Sequence, residues 1–404
     1  YLKVRGSYGE VGNDQIGGDR FLYLPSSYGA ASDSGVNKYN FGLASNPYTS
    51  LMIVENKIGN PDLTWEKAKK MNVGVDINLF NNCLTASFDI FKEKRNNILA
   101  NRSTSPMIIG ANLPAYNFGE MENRGWEMDL NFRHHIQDFH YWARFNYSFA
   151  RNEIIYMDEV QKRYDYQMTT GRRKNQFFGL IFDGYYNSWE EINALDRPKS
   201  SWSGNQLQPG DVKYIDVNQD GVIDDYDMVP IGYTPVPEII YGFSFGAQYK
   251  GFDFSILFQG ADNVSIKYFG RSMWPFAKGE ESAKSLIKER WTQERYEAGE
   301  KITFPRLSLN PNGETDHNYR PSTLWIRDAS YLRLKNLEVG YTFTGGFVKR
   351  LNLNSVRLYF NGSNLFTWTD VVDLDPEAPS RSGNVEINTY PLQKVYNIGL
   401  NINF

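Results

Sequence analysis

The chain has 404 residues and a formal net charge of −4, with Lys and Arg dispersed rather than gathered in a stripe, which gives no electrostatic case for a nucleic-acid partner. A single cysteine, Cys83, excludes an intramolecular disulfide and a thiolate metal cluster. No run approaches the ~18 apolar residues of a membrane helix, yet aromatic residues make up 15% of the chain.

The strongest signal along the chain is period-2 alternation. The opening Tyr1-Leu2-Lys3-Val4-Arg5 already lies inside it, with no initiator Met or signal peptide, so we read the start as a cut. Met71, Val73, Val75, Ile77 and Leu79 share one face, and Asn81-Asn82 supplies a turn because Asn tolerates positive φ. Leu84, Ala86, Phe88 and Ile90 continue the pattern, followed by Trp126, Met128, Leu130 and Phe132. A polar break over 134–138 leads to Phe139 through Phe149. Hairpins follow through Lys250-Gly251 and near Gly345-Gly346, and a last strand carries Tyr396, Ile398, Leu400, Ile402 and Phe404. The pattern predicts about ten strands of roughly 9–13 residues, the length a tilted strand needs to cross a bilayer. Leu286, Ile287 and Trp291 predict one helix from Glu281 to Glu297.

Short turns near 81–82, 135–138, 250–251 and 344–354 alternate with long connections near 10–70, 94–121, 153–237, 263–329 and 365–393. Soluble domains rarely carry a long irregular loop at every second connection, whereas outer-membrane barrels do, with short periplasmic turns and long extracellular loops. A soluble β-sandwich or propeller also alternates, but the loop asymmetry and aromatic-rich apolar face favour an all-β transmembrane antiparallel barrel spanning 1–404, its end at the periplasmic rim.

Ser330-Tyr331-Leu332-Arg333-Leu334-Lys335-Asn336-Leu337, ending in Gly340-Tyr341-Thr342-Phe343, resembles a late strand of the SusC/RagA-type TonB-dependent transporters of Bacteroidota. Further segments resemble the same family: Lys3-Val4-Arg5-Gly6-Ser7-Tyr8-Gly9, Asn60-Pro61-Asp62-Leu63-Thr64-Trp65-Glu66, Asn123-Arg124-Gly125-Trp126-Glu127, Asn361-Gly362-Ser363-Asn364-Leu365-Phe366, Asp375-Pro376-Glu377 and the terminal Gly399 to Phe404. The resemblance implies the C-terminal portion of a 22-stranded barrel whose N-terminal plug, TonB-contacting segment and first barrel half are absent from this chain. It implies active import of oligosaccharides, or in some cases peptides, driven by the TonB complex and capped by a SusD-like surface lipoprotein. Ten strands of that plan would leave open edges that lipid does not permit, so the missing part is expected elsewhere. The terminal aromatic strand resembles the signal read by the barrel-assembly machinery.

Asp216 to Asp227 reads as a twelve-residue calcium loop: Asp216, Asn218, Asp220, Asp224 and Asp227 supply oxygens, Val222 a backbone carbonyl, and Gly221 the sharp turn. Calcium takes several hard oxygens at flexible geometry; Asp227 stands where a bidentate Glu is usual, and the flanks lack amphipathic helices. A solvated Asx-rich turn is the simpler reading of the same residues, and a structural Ca²⁺ the sharper one. Tyr185, Tyr186, Trp189, Trp202 and Trp274 are candidate sugar-stacking platforms, or else packing residues. No catalytic motif appears: His134 and His135 fall in a predicted turn, His140 and His317 are isolated, and Asp89, Asp129 and Asp253 are expected to be solvated in the lumen. The rival readings are a passive or enzymatic outer-membrane barrel and a secreted calcium-stabilised β binding module.

Overall fold

The structure is a computed structural model that describes residues 1–13, 22–24, 29–30, 38–43, 48–54, 59–104, 113–202, 207–268, 273–276, 285–308, 316–372, 374–377, 384–385 and 391–404. Its frame is one ten-stranded antiparallel sheet in which each long strand pairs with the next along the chain. The strands are β1 (Leu2–Asn13), β2 (Glu66–Leu79), β3 (Leu84–Ala100), β4 (Tyr116–Ile136) and β5 (Phe139–Tyr156). They continue as β6 (Ile239–Tyr249), β7 (Phe252–Asp262), β8 (Tyr331–Phe343), β9 (Ser355–Thr369) and β10 (Val395–Asn403). The expected strand number and order are both present, and β1 and β10 form the two edges of the sheet among the described residues.

Turn chemistry explains where the hairpins close. Asn81 and Asn82 have φ of 54° and 66°, and Lys250-Gly251 have 44° and 92°, the positive values tight hairpin turns need. The β4–β5 turn is shorter than expected: Gln137-Asp138 alone connect the strands, so His134 and His135 belong to β4 and His135 stacks on His140 at 5.5 Å. Between β8 and β9 a short helix, Gly346–Arg350, fills the connection. All four short connections lie on one rim, together with the start of β1, where Leu2 faces Ile77, and the end of β10, where Asn403 faces Ser355.

The strands are longer than a bilayer crossing requires: β3, β4 and β5 have 17, 21 and 18 residues. Their surplus lies at the far rim, where apolar outward positions give way to charged ones, so the wall rises beyond the lipid. The connection expected over 94–121 is therefore confined to 101–115, because both flanks extend as paired strand.

Packing follows from the two faces of this wall. Val4, Val73, Ile90, Leu358 and Ile398 point out of the sheet and are exposed, the arrangement a lipid-facing surface demands. The compact apolar core lies elsewhere, in the long connections. Leu180, Val212, Ile266, Trp274, Phe304, Tyr319, Leu324, Trp325 and Val371 come from three different connections and bury one another. Small sheets tie these segments: Phe182–Tyr185 pairs with Val212–Tyr214, and Ser265–Tyr268 lies between Ile326–Asp328 and Asn384–Val385. The long connections thus fold into a small domain of their own above the wall.

The helix predicted over 281–297 is broken. A 3₁₀ turn covers Ser285–Glu289 and a separate helix covers Gln293–Glu297, while 281–284 lie outside the described residues. Thr292 interrupts the two in extended conformation (φ −139°, ψ 156°) and caps the second by accepting from the Arg295 N–H. Trp291 is drawn aside to donate its backbone N–H to the Phe304 carbonyl at 2.8 Å, and tertiary packing overrides the helical spacing.

Candidate functional site

The domain formed by the long connections is held by a buried polar network around Asp211 and Asn318. Asn318 donates to the Asp211 carboxylate at 2.7 Å and accepts the Val212 N–H at 2.9 Å, while Trp325 donates its indole N–H to the Asn318 carbonyl at 2.8 Å. Arg306 pairs with Asp211 at 2.6 Å. His317, isolated in sequence, lies 2.8 Å from the Val212 carbonyl through Nε2 and 3.0 Å from the Ser200 hydroxyl through Nδ1. Burial lowers the His317 pKa below its ordinary value, which matches a neutral ring donating at Nε2 and accepting at Nδ1. Burial likewise pushes the Tyr214 phenol up, and its hydroxyl donates to the His317 carbonyl at 2.7 Å. Every polar group of this set serves a neighbour, which makes the network a framework.

Four of the five candidate aromatic platforms are built into that framework. Tyr185 packs edge-on against Phe182 at 5.2 Å, Trp274 tilts against Tyr319 at 5.2 Å, and Tyr186 is buried with Ile192 and Leu207. Trp202 packs against the same core beneath the Arg320 guanidinium, 4.1 Å from its ring centre. Burial raises the phenols of Tyr185 and Tyr186. Their ring faces are occupied by the protein itself, because large flat side chains are what a small loop core needs to exclude water. Trp189 is different: it begins a one-turn helix capped by Ser188, and its side chain is 53% exposed.

The Asp216–Asp227 loop closes on its own amides. Asp216 accepts from the Gly221 N–H at 2.8 Å, Asp220 from Val222 at 3.0 Å and Asp224 from Tyr226 at 2.7 Å. Asp227 is fully buried and accepts from Val217 at 2.8 Å and Asp224 at 2.9 Å; burial raises its pKa. Asn218 bridges to Asp220 through its side-chain amide at 3.0 Å. Gly221 and Gln219 adopt positive φ of 81° and 60°, the turn expected at the loop's midpoint. As they stand, no three carboxylate, histidine or cysteine side chains among the described residues converge to hold a metal.

Three ion networks on the inner face were not legible in sequence. Arg5 bonds Asp76 at 2.9 Å and Asp89 at 2.8 Å, with Ser87 between. Arg357 bonds Asp253, and Glu338 at 2.6 Å. Arg333 reaches Asp375 at 2.7 Å, Glu377, and Thr367 at 2.9 Å, so the connection after β9 is tied to β8. Asp89 and Asp253 are therefore paired across strands instead of being merely solvated, since a lumenal carboxylate beside an arginine gains more from a charge-assisted bond than from water alone. Asp129 is bonded by Asn131. The sequence signal was weak: acids and arginines on the polar parity of different strands, whose register alternation does not reveal.

An all-β wall with an exposed apolar face, a charged inner face and all long connections on one rim defines an outer-membrane β-barrel protein. The chain belongs to the TonB dependent receptor-like, beta-barrel family, whose model matches residues 1–365. It is 28% identical over 421 residues to TonB-dependent receptor P3 of Formosa agariphila, covering 100% of this chain and 39% of that protein. It is 26% identical over 409 residues to TonB-dependent receptor SusC of Bacteroides thetaiotaomicron, covering 100% of this chain and 37% of that one. Among solved structures it superposes on the RagAB peptide importer in the open-open state with a TM-score of 0.70 at 23% identity, covering 100% of this chain and 40% of that one. The chain thus spans about 40% of the length of the curated relatives it matches, and membership of this receptor family places it in the outer membrane.

Proposed function

We propose that this chain supplies barrel wall and outer vestibule to a TonB-dependent importer that takes up an oligosaccharide or a peptide beneath a SusD-like lipoprotein lid. The carrying observation is the ordered domain built from three long connections on one rim, above a wall whose inner face is lined with charged networks. A passive pore has no use for so large a packed mass at its mouth, whereas a gated importer needs a shaped surface to receive substrate and lid. The exposed apolar face argues against a secreted module. TonB would act through parts of the transporter beyond this chain. In cells expressing the full-length protein, uptake of the labelled glycan or peptide should stop when the proton gradient is collapsed. Uptake that persists would make the barrel a passive pore and overturn the proposal.

Of the five candidate aromatics, Trp189 supports a sugar-stacking role best, because its ring meets solvent. Trp189→Ala should weaken glycan binding without altering expression or folding; unchanged binding removes Trp189 from the site.

We also propose that the Asp216–Asp227 loop takes a calcium ion in a structural role. Supporting this are the ligand spacing, a fully buried Asp227, and four loop carboxylates whose hydrogen bonds come from the loop's own amides. Each carboxylate oxygen that accepts one loop amide keeps a second lone pair for a cation. Calorimetric titration of the chelator-treated full-length barrel with Ca²⁺ should show one site that Asp220→Asn weakens. No heat of binding at millimolar Ca²⁺ refutes it.

A further inference from the structure

The outward face of the wall changes character at one row of the sheet. On β4 and β5 the outward positions from the short-turn rim upward are apolar or aromatic almost throughout, ending in Trp126 and Phe149, which face each other. Trp126 stacks on Tyr147 at 4.8 Å with 14° between the rings, marking the aromatic girdle where the hydrocarbon ends. Phe139 to Phe149, about eleven residues of tilted strand, is the span needed to cross the membrane. The next outward row is Lys92, Arg124 and Arg151, aligned directly opposite one another on β3, β4 and β5. The Arg151 guanidinium lies 5.4 Å over the Phe149 ring, which fixes its side chain on this outer face.

Like charges directly opposite across strands repel, so three cations in one row is an arrangement a sheet does not adopt for its own stability. Arg151 is paired at 2.7 Å with the buried Glu238, but the other acids only partly offset Lys92 and Arg124. Glu122 meets Lys92 at 2.9 Å but stands 3.8 Å from Arg124, as does Glu153, and the side chains of Lys92 and Arg124 remain 54% and 60% exposed. Beside the row opens a hollow of about 400 Å³ lined by Arg124, Arg151, Arg172, Arg173 and Glu153; Arg151 and Arg173 share the buried Glu238, which leaves Arg124 and Arg172 as its less compensated cations. Among the described residues Arg172 has no ion pair.

We propose that this cationic row and hollow bind a phosphorylated lipid headgroup of the outer leaflet. Position and chemistry both point there. The site faces away from the lumen, one row above the girdle, at the height where headgroup phosphates lie, and guanidinium groups match phosphate oxygens with paired donors. The apolar face immediately below would receive the acyl chains of the same molecule. This inference depends on the outer-membrane location alone, so it stands or falls separately from the transport reading.

The test uses the full-length barrel in detergent, titrated with phosphorylated lipid A and with the same lipid A after enzymatic removal of phosphate. Wild type should bind the phosphorylated form, and binding should weaken as salt is raised. The double variant K92Q/R124Q should bind about 30-fold more weakly, from about a fivefold loss for each exposed cation near a lipid surface. Arg124→Lys should retain most of the binding, and Lys70→Gln, on the same wall but with Lys70 paired to Glu93 on the inner face, should retain all of it. Heat-modifiable mobility on a gel confirms that each variant is folded. Equal binding of the dephosphorylated lipid, or undiminished binding by folded K92Q/R124Q, would overturn the proposal.

Discussion

His317 shows how a single side chain sets a condition on its surroundings. It is buried between the Val212 carbonyl and the Ser200 hydroxyl, and burial depresses its pKa below the ordinary 6.5. The unfolded chain takes up a proton as pH falls through about 6.5, while the folded chain resists until the lower, depressed value. The stabilisation is therefore fully present above pH 6.5 and is lost as pH falls from there through the folded pKa. Amide hydrogen exchange on the full-length barrel should show residues 212–214 losing protection between pH 7.5 and pH 5, and His317→Gln should flatten that dependence. Equal pH dependence in both proteins would mean that His317 is not the titrating group. Gly125 makes a steric argument at the same scale. A Cβ there would overlap the Phe149 carbonyl oxygen and the Ala150 backbone, whereas one at Gly9 would meet open space. Gly125→Ala should cost about 1–3 kcal/mol through forced backbone displacement, and Gly9→Ala should be nearly neutral. Urea unfolding midpoints in detergent would separate the two.

Among the elements, the tie between β8 and the connection after β9 carries the sharpest expectation. The Arg333 side chain is 2% exposed and holds both Asp375 and Glu377, while Tyr331 and Gln259 add bonds to Glu377 at 2.7 and 3.2 Å. Removing one partner of a buried pair strands the other charges, a loss of about 3–5 kcal/mol. Arg333→Met should therefore release the connection, seen as new proteolytic cleavage between 374 and 394 with the wall intact. Arg333→Lys should rescue it poorly, because an ammonium cannot reproduce the guanidinium fork. Unchanged cleavage in Arg333→Met would show that other contacts hold the segment. The sequence carries Arg333, Asp375 and Glu377 in plain view but conceals their meeting. Lys335 is the extra residue of a bulge between Leu334 and Asn336, so the inward parity shifts there and simple alternation assigns Arg333 to the wrong face. The strands and hairpins were legible because alternation and turn residues act locally. The broken helix over 281–297 was not, since Trp291 answers to Phe304 on another segment and Thr292 turns extended to cap the helix that follows.

At the scale of the whole molecule, two assemblies are stabilised by different solvents. The wall turns its apolar side chains to lipid and keeps its order through strand pairing, while the long connections bury theirs in a water-excluding core. That core explains why sequence left two readings open for the aromatic candidates: Tyr185, Tyr186 and Trp274 sit in stretches without periodicity, where nothing in sequence separates a ring that packs from one that stacks on a ligand. It also yields a test of the division. Trp325 is almost fully buried, stacks near Tyr319 at 5.3 Å and donates to the Asn318 carbonyl, all within the outer domain. Trp325→Ala should cost that domain about 3–5 kcal/mol. If the two assemblies unfold separately, the full-length barrel in detergent will show an early loss of near-ultraviolet dichroism in the variant. The temperature at which the wall loses its compact gel mobility will stay unchanged. A joint shift of both transitions would instead show that the outer domain and the wall unfold as one cooperative unit, with ties such as Arg333 to Glu377 transmitting the loss.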